Sequence, residues 1–401
     1  MKTTTKRSVT FLLLFVSFVL FSTPTLSQSR ALFPHRITFA NGKSFTLNLP
    51  ESLEIAVAVQ GLKRVRFMAL SPDHRIFVTD MYNLTDNKKG VVYILDDFEP
   101  TSKRFLKVTQ FMSGLRNPNS VAFYRDEEGN DWLYLALTDR LVRYRYVHGS
   151  IKPTGEPEIL ATFPDYGLAY KYGGWHLTRT IAVGPNRKIY VSVGSSCNAC
   201  EEKEEVRASV IEMDPDGKNQ RHFARGLRNA VGMRWIGDQL FVTNMGADHL
   251  GLDRPDDTMG VLKEETNYGW PYCFQSGLQM FVDPKLNRRG SKFDCKQSPP
   301  LSVGLGAHTA PLGLEFFDAT DLKGLQNSFL IALHGSTNKR IGRGYKVVKV
   351  GAKKSDTKDF ITGFLQNGIV HGRPCDIFKF RNGFLLTDDK AGVIYYVYER
   401  Q

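Results

Sequence analysis

A turn followed by a short apolar strand returns through this chain at an interval a little above fifty residues. Ser71-Pro72-Asp73-His74-Arg75-Ile76-Phe77-Val78 sets out the pattern, and Gly184-Pro185-Asn186-Arg187-Lys188-Ile189-Tyr190-Val191 repeats it. Gly237-Asp238-Gln239-Leu240-Phe241-Val242 and Asn382-Gly383-Phe384-Leu385-Leu386 are further copies, and Leu133-Tyr134-Leu135 and Leu330-Ile331-Ala332 follow more loosely. With Phe77, Tyr134, Tyr190, Phe241, Ile331 and Leu386 as markers, the spacings are 57, 56, 51, 90 and 55 residues. Pro, Asn, Asp and Gly set the turns, and β-branched and aromatic residues suit a pleated surface. Repeats of this length, built from short strands with little helical periodicity, predict an all-β fold, a six-bladed β-propeller. One blade cannot cover both of its faces, so blades stack around a ring whose closure protects their edges. A pair of β-sandwiches is the alternative. The interval of 90 predicts a long rim insertion between the fourth and fifth blades.

The first residues have a different character. Lys2, Lys6 and Arg7 precede an apolar run at residues 11–21, and the small residues Thr25 and Ser27 precede Gln28. This is the pattern of a secretory signal peptide over residues 1–27. The apolar run is too short for a spanning helix, which takes about 20 residues. No Pro- or Ser-rich linker divides the remainder, so residues 28–401 are expected to form one domain. Hydrophobic residues make up 42% of the chain, enough to bury a core, and the net charge is +12, or +9 without residues 1–27, an excess that suits an acidic ligand or a cell-wall polyanion but is more often a solvated surface.

Export permits disulfides. Cys197 and Cys200 form a CxxC; no second ligand pair suits zinc, and Glu201 rather than His follows, so a local disulfide is expected. Cys273 and Cys295 are candidates for a second, leaving Cys375 as the odd thiol. Asn83-Leu84-Thr85 is a glycosylation sequon.

Several chemistries are excluded. There is no GxSxG elbow, no HExxH and no P-loop, and Gly304-Leu305-Gly306 lacks the third glycine of a dinucleotide fingerprint. No basic run is interleaved with aromatics as a nucleic-acid groove requires. Polar residues crowd instead into Arg225-Gly226-Leu227-Arg228-Asn229, Thr243-Asn244-Met245-Gly246-Ala247-Asp248-His249 and Asp253-Arg254-Pro255-Asp256-Asp257. Asp256-Asp257 offers oxygen ligands to a hard cation.

An ordered set of motifs resembles the soluble quinoprotein sugar dehydrogenases, the glucose/sorbosone dehydrogenase family. The motifs are Trp175-His176-Leu177-Thr178-Arg179, Gly226-Leu227-Arg228-Asn229, Asn244-Met245-Gly246-Ala247-Asp248-His249-Leu250-Gly251, Asn267-Tyr268-Gly269-Trp270-Pro271, Ala332-Leu333-His334-Gly335-Ser336, and Gly372-Arg373-Pro374 with Asp388-Asp389. The resemblance covers most of the chain from about residue 53 to residue 398. The resemblance implies a six-bladed propeller that binds pyrroloquinoline quinone (PQQ) and Ca2+ and oxidises an aldose, sorbosone or similar sugar, with electrons passed to an external acceptor. It implies His176 as the base that takes the hydroxyl proton, and Arg228 as a cofactor-binding and charge-stabilising residue. Asn229, Arg373 and Arg66 become further cofactor contacts, and the main-chain carbonyls at Gly246 and Ala247 become calcium ligands. Ala230 and Leu252 depart from the family's pattern, where proline and an acidic residue are common. The alternative is a secreted, non-catalytic propeller that kept the fold as a binding module. A lactonase-like propeller would want an acidic cluster in its central channel.

Overall fold

The computed structural model describes residues 31–165, 176–351 and 354–400, besides Met1 and Thr3. Most of the leader expected over residues 1–27, and Trp175, lie outside the described residues.

Six antiparallel sheets are arranged as a β-propeller. The first blade comprises Val65–Leu70, Ile76–Asp80, Gly90–Glu99 and Arg104–Leu115, and the second Ser120–Arg125, Asp131–Ala136, Arg140–Arg145 and Thr154–Thr162. The third runs Arg179–Val183, Ile189–Val193, Ser209–Met213 and Arg221–Arg225, with Thr266–Asn267 added in parallel. The fourth holds Ala230–Ile236, Gln239–Asn244, Asp257–Leu262 and Val303–Gly306; the fifth holds Pro311–Phe317, Ser328–Leu333, Lys346–Gly351 and Lys354–Ile361.

The sixth blade is made from both ends of the chain. Pro374–Phe380, Gly383–Asp388 and Val393–Glu399 take Leu53–Gln60 as their fourth strand, with Leu53 opposite Glu399 and Gln60 opposite Val393. This pairing closes the ring without a covalent link.

All six marker residues lie on the second strand of their blades. A second strand is covered on both faces by neighbouring blades, so Ile76–Asp80, Ile189–Val193 and Ser328–Leu333 are buried at every position. Such strands read as continuous apolar runs rather than alternating ones. The turn leading into each second strand carries a residue in the left-handed region, among them His74 (φ 62°), Arg187 (φ 64°) and Asn327 (φ 51°).

The core is distributed accordingly. One apolar cluster lies at each junction between adjacent blades: Phe77, Ile94 and Phe111 meet Leu133 and Leu135 between the first and second, and Met259 and Val303 meet Leu314 and Ile331 between the fourth and fifth. Each buried side chain of this size contributes about 1.5–3 kcal/mol relative to exposure. At the centre, Phe67, Val231, Leu312 and Cys375 from four innermost strands pack together and plug the channel.

The extra residues between Phe241 and Ile331 enter within the fourth blade, between its third strand, Asp257–Leu262, and its fourth, Val303–Gly306. The insertion carries the hairpin Cys273–Ser276/Gln279–Val282 and the Cys273–Cys295 disulfide. The marker spacing sees only second strands, so it registers the added length without saying on which side of the fourth strand it falls. Cys197 and Cys200 are also bonded, and Cys375 is the buried free thiol. No helix among the described residues is long and apolar enough to cross a membrane.

Candidate active site

Two sets of loops reach one rim of the ring: those entering each innermost strand and those joining second to third strands. They surround a cavity of ≈ 420 Å³. Arg64, His176, Arg228, His308 and Arg373 come from the first set, and Gly246, Asp248 and His334 from the second. Loops held by rigid strands can present convergent polar groups without being part of the core.

His176 is half-buried, and its Nδ1 lies 2.9 Å from both the carbonyl oxygen and the Oγ of Ser195. The Ser195 hydroxyl donates to the Cys197 carbonyl at 2.7 Å, so its oxygen is an acceptor toward the imidazole. Both contacts therefore call for the proton on Nδ1 and put the lone pair on Nε2. Burial, and then the Arg228 cation, push the His176 pKa well below its ordinary value, so the ring is neutral at pH 7. Gly194 permits the close packing here: a Cβ on it would lie 2.5 Å from His176 Cβ and from Asn229 Oδ1.

Arg228 donates from Nε to the Asn198 carbonyl (2.8 Å) and from Nη2 to Asn198 Oδ1 (3.0 Å), with Asp248 Oδ2 at 3.8 Å. Burial lowers its pKa against the pull of Asp248 and Asp257, but an arginine so placed remains a cation. Arg373 is fixed at its N–H by Asp388 Oδ1 (2.8 Å). Its guanidinium donates to the carbonyls of Gly335 (2.7 Å) and Ser336 (3.0 Å) and stacks over Tyr345.

The structure thus brings His176, Arg228, Gly246 and Arg373 to the cavity wall and sets Arg66, Asn229 and Ala247 behind it. Arg66 donates to Asn119 Oδ1 and Asp389 Oδ2, both at 2.9 Å. Asn229 donates from its backbone to Asn244 Oδ1 (3.1 Å) and from Nδ2 to Met245 Sδ (3.3 Å).

Sequence reasoning missed Arg64 and His334. Arg64, two residues before Arg66, lines the cavity, and its buried Nη1 lies 3.0 Å from Asp389 Oδ2 without the alignment of a hydrogen bond. His334 Nε2 is 2.8 Å from Asp389 Oδ1. Burial resists ionisation of Asp389, but His334, Arg66 and Arg64 outweigh it and hold its pKa well below the carboxylate range. The signals were present in Arg64-Val65-Arg66 and in the motifs containing His334 and Asp389, but those motifs carried no roles.

The pair Asp256-Asp257 divides. Asp257 lines the cavity, accepts from the Gly246 N–H (2.7 Å) and the Ala310 N–H (2.7 Å), and is raised to about 6 by burial against those bonds. Asp256 accepts from the Gly277 N–H (2.7 Å) in the insertion. Neighbouring residues at a strand end point to opposite sides and do not chelate together. A Cβ on Gly246 would lie 2.7 Å from Pro255 Cγ, so this turn needs glycine.

The donor set fits a planar polycarboxylate: three guanidinium groups line one cavity, and one of them has a buried nitrogen without a hydrogen bond. Among the described residues the one cluster of three metal-ligating side chains is Cys197, Cys200 and Glu202, where both sulfurs are spent in the disulfide. A calcium ion in the cavity would therefore be held through carbonyl oxygen of the Gly246 turn and the Asp257 carboxylate, both hard donors.

Comparison with known proteins bears on the fold and the family. Residues 47–363 match the profile of the TrAA12-like family. The fold is similar to the holo form of the pyranose dehydrogenase PQQ domain from Coprinopsis cinerea, with 17% identity and a TM-score of 0.70 over 89% of this chain and 97% of that one. It is similar to the calcium structure of Trichoderma reesei carbohydrate-active enzymes family AA12, with 15% identity and a TM-score of 0.71 over 93% and 98%. The apo form of the soluble aldose sugar dehydrogenase from Escherichia coli gives 12% identity and a TM-score of 0.61 over 87% and 100%. At such identities the structural likeness is one of fold. No curated protein sequence matches the chain. The kinship read from the motifs is of the same kind as these neighbours, and the profile match covers most of the sequence: the chain belongs to the TrAA12-like family.

Proposed function

We propose that the chain is an exported oxidoreductase that uses PQQ and Ca2+ to oxidise an aldose, sorbosone or similar sugar, with electrons leaving to an external acceptor. The observation that carries this reading is a single cavity lined by His176, held through Nδ1 by Ser195, and by the guanidinium-bearing residues Arg64, Arg228 and Arg373. The pyranose dehydrogenase PQQ domain and the aldose sugar dehydrogenase among its structural neighbours support it.

When bound, the quinone supplies a two-electron acceptor and the calcium ion a Lewis acid. His176 Nε2 takes the proton of the sugar hydroxyl, and its depressed pKa keeps it ready to do so at pH 7. Arg228 stabilises the negative charge that develops as that proton leaves. Arg373 and Arg64 hold carboxylates by paired N–H donors. Asp257, on the cavity wall, fixes the Gly246 turn by accepting its N–H. Arg66 compensates Asp389, and Asn229 pins the strand end that precedes Gly246.

In this reading residues 1–27 are a leader and residues 28–401 a single propeller, which its two disulfides suit to an oxidising compartment. Asn83 is a glycan acceptor in the same reading; its Oδ1 accepts from Thr85 N (2.9 Å) and Oγ1 (2.7 Å).

Reconstitution tests the proposal. Purified protein mixed with PQQ, Ca2+, an aldose and a redox dye should bleach the dye only when PQQ and Ca2+ are both present. Failure to bind PQQ at micromolar concentration overturns it in favour of a non-catalytic binding module.

A further inference from the structure

The loop joining the second and third strands of the third blade, residues 194–208, contains no helix or strand, yet two catalytic candidates lean on it. Ser195 holds His176, and Asn198 holds Arg228. Asn198 is the more specific of these supports. Its carbonyl accepts from Arg228 Nε at 2.8 Å, and its Oδ1 accepts from Arg228 Nη2 at 3.0 Å and from the Asp248 N–H at 2.8 Å. One side chain thus ties a guanidinium from the fourth blade's entry loop to the turn carrying Gly246. Two acceptors on one residue fix both the reach and the plane of the guanidinium.

The Cys197–Cys200 disulfide brackets Asn198. A crosslink removes more unfolded-chain entropy the longer the loop it closes, and this bridge joins residues three apart, against 22 for Cys273–Cys295. It is therefore poorly placed to stabilise the fold as a whole and well placed to restrict Asn198. Ser196 N–H donates to Glu202 Oε1 (2.7 Å) and Ser195 Oγ to the Cys197 carbonyl (2.7 Å), which ties the flanks of the bracket as well. Both cysteines are half-buried at the rim, within reach of a small thiol.

We infer that Asn198 is the positioning residue of Arg228, and that the Cys197–Cys200 bridge locks it in place, so that opening the bridge releases Arg228 from its working orientation. The inference rests on the proposed function for its catalytic meaning, but the placement of Arg228 is testable without the cofactor. Opening by dithiothreitol breaks one S–S bond to two thiols and oxidises the reagent to its cyclic disulfide, so electrons and protons balance.

Besides burial, the Arg228, Arg179 and Arg207 cations all favour the neutral imidazole of His176. If Arg228 leaves its position, His176 gains a proton at higher pH. The test is an NMR titration of histidine-labelled protein without PQQ, comparing wild type, Asn198→Ala and the double variant Cys197→Ser/Cys200→Ser. Both variants should raise the His176 pKa while the thermal midpoint stays near that of wild type. An unchanged His176 titration in Asn198→Ala overturns the positioning role, and an unchanged titration in the cysteine variant alone overturns the lock. A second measurement separates this from the proposed function. If wild type binds PQQ, Asn198→Ala should weaken binding by about tenfold, the scale of a charge-assisted hydrogen bond, and should add less than about twofold in an Arg228→Lys background. Wild type that fails to bind PQQ counts against the proposed function, and the titration still decides the inference. Equal weakening by Asn198→Ala in both backgrounds overturns it.

Discussion

Asp389 Oδ1 lies 2.8 Å from His334 Nε2, and the carboxylate's other oxygen faces Arg66 at 2.9 Å and Arg64 at 3.0 Å. A single buried carboxylate is thus the counter-charge for a whole side of the cavity. Asp389→Asn should cost roughly 3–5 kcal/mol, the scale for breaking a buried ion pair, measured by denaturant unfolding. The folded pKa is depressed, so this stability is fully present above the unfolded value of about 3.9 and is lost as pH falls through the folded one. The variant should therefore lose less stability than wild type between pH 5 and acid. Equal acid sensitivity would count against the assignment.

The two neighbouring arginines should separate cleanly. Arg64→Ala removes a cavity-lining cation and should weaken PQQ binding by about tenfold, with a smaller loss of unfolding free energy than Arg66→Ala because its contact with Asp389 is not a hydrogen bond. Arg66→Ala leaves Asp389 buried with fewer partners and should destabilise the fold instead. Binding titration and chemical denaturation of both variants decide the matter.

His176→Gln should leave PQQ binding near wild type and reduce turnover by about 10²- to 10⁴-fold, the usual share of a general base. In wild type the acid limb of kcat/KM should fall below pH 6.5, since burial and Arg228 disfavour the imidazolium. A limb at or above the ordinary histidine value would remove His176 from this role.

On the inner wall of the channel, burial raises Asp376 to about 7, while its Oδ2 accepts the Met68 N–H at 2.9 Å. A carboxyl whose folded pKa is raised contributes stability present below its unfolded value of about 3.9 and lost as pH rises through the folded value. Asp376→Asn keeps the acceptor and removes the titration. Its unfolding free energy should vary less from pH 4 to pH 8, with a gain over wild type of order 3 kcal/mol at the alkaline end. Thermal or denaturant unfolding across that range is the check.

How much of this the sequence disclosed follows from burial. Second strands are covered on both faces, so Ile76–Asp80 and Gly383–Asp388 stand out as apolar runs behind a turn, and six of them counted the blades. Outer strands such as Thr154–Thr162 are exposed along most of their length and follow no rule a reader could count. The short glycine-containing strand Val303–Gly306 left no mark, which is why the insertion's place within the fourth blade was hidden. In the site, His176, Arg228 and Arg373 were legible through ordered motifs. Arg64 and Arg66 were not separable, because residues two apart at a strand start share a side. What separates them is depth below the rim, where Asn119 and Asp389 wait for Arg66. The importance of His334 depends on a partner 55 residues further along, which no local pattern encodes.

The joining of Leu53–Gln60 to Val393–Glu399 has a consequence for biosynthesis. The earliest blade-forming strand cannot find its mate until nearly the whole polypeptide has left the ribosome. Until then two raw sheet margins stand open, one at either end of an unfinished arc, and each is a template for a stray neighbour. Under the proposed export, a chain held extended during translocation would reach the far side with both halves of this clasp available together.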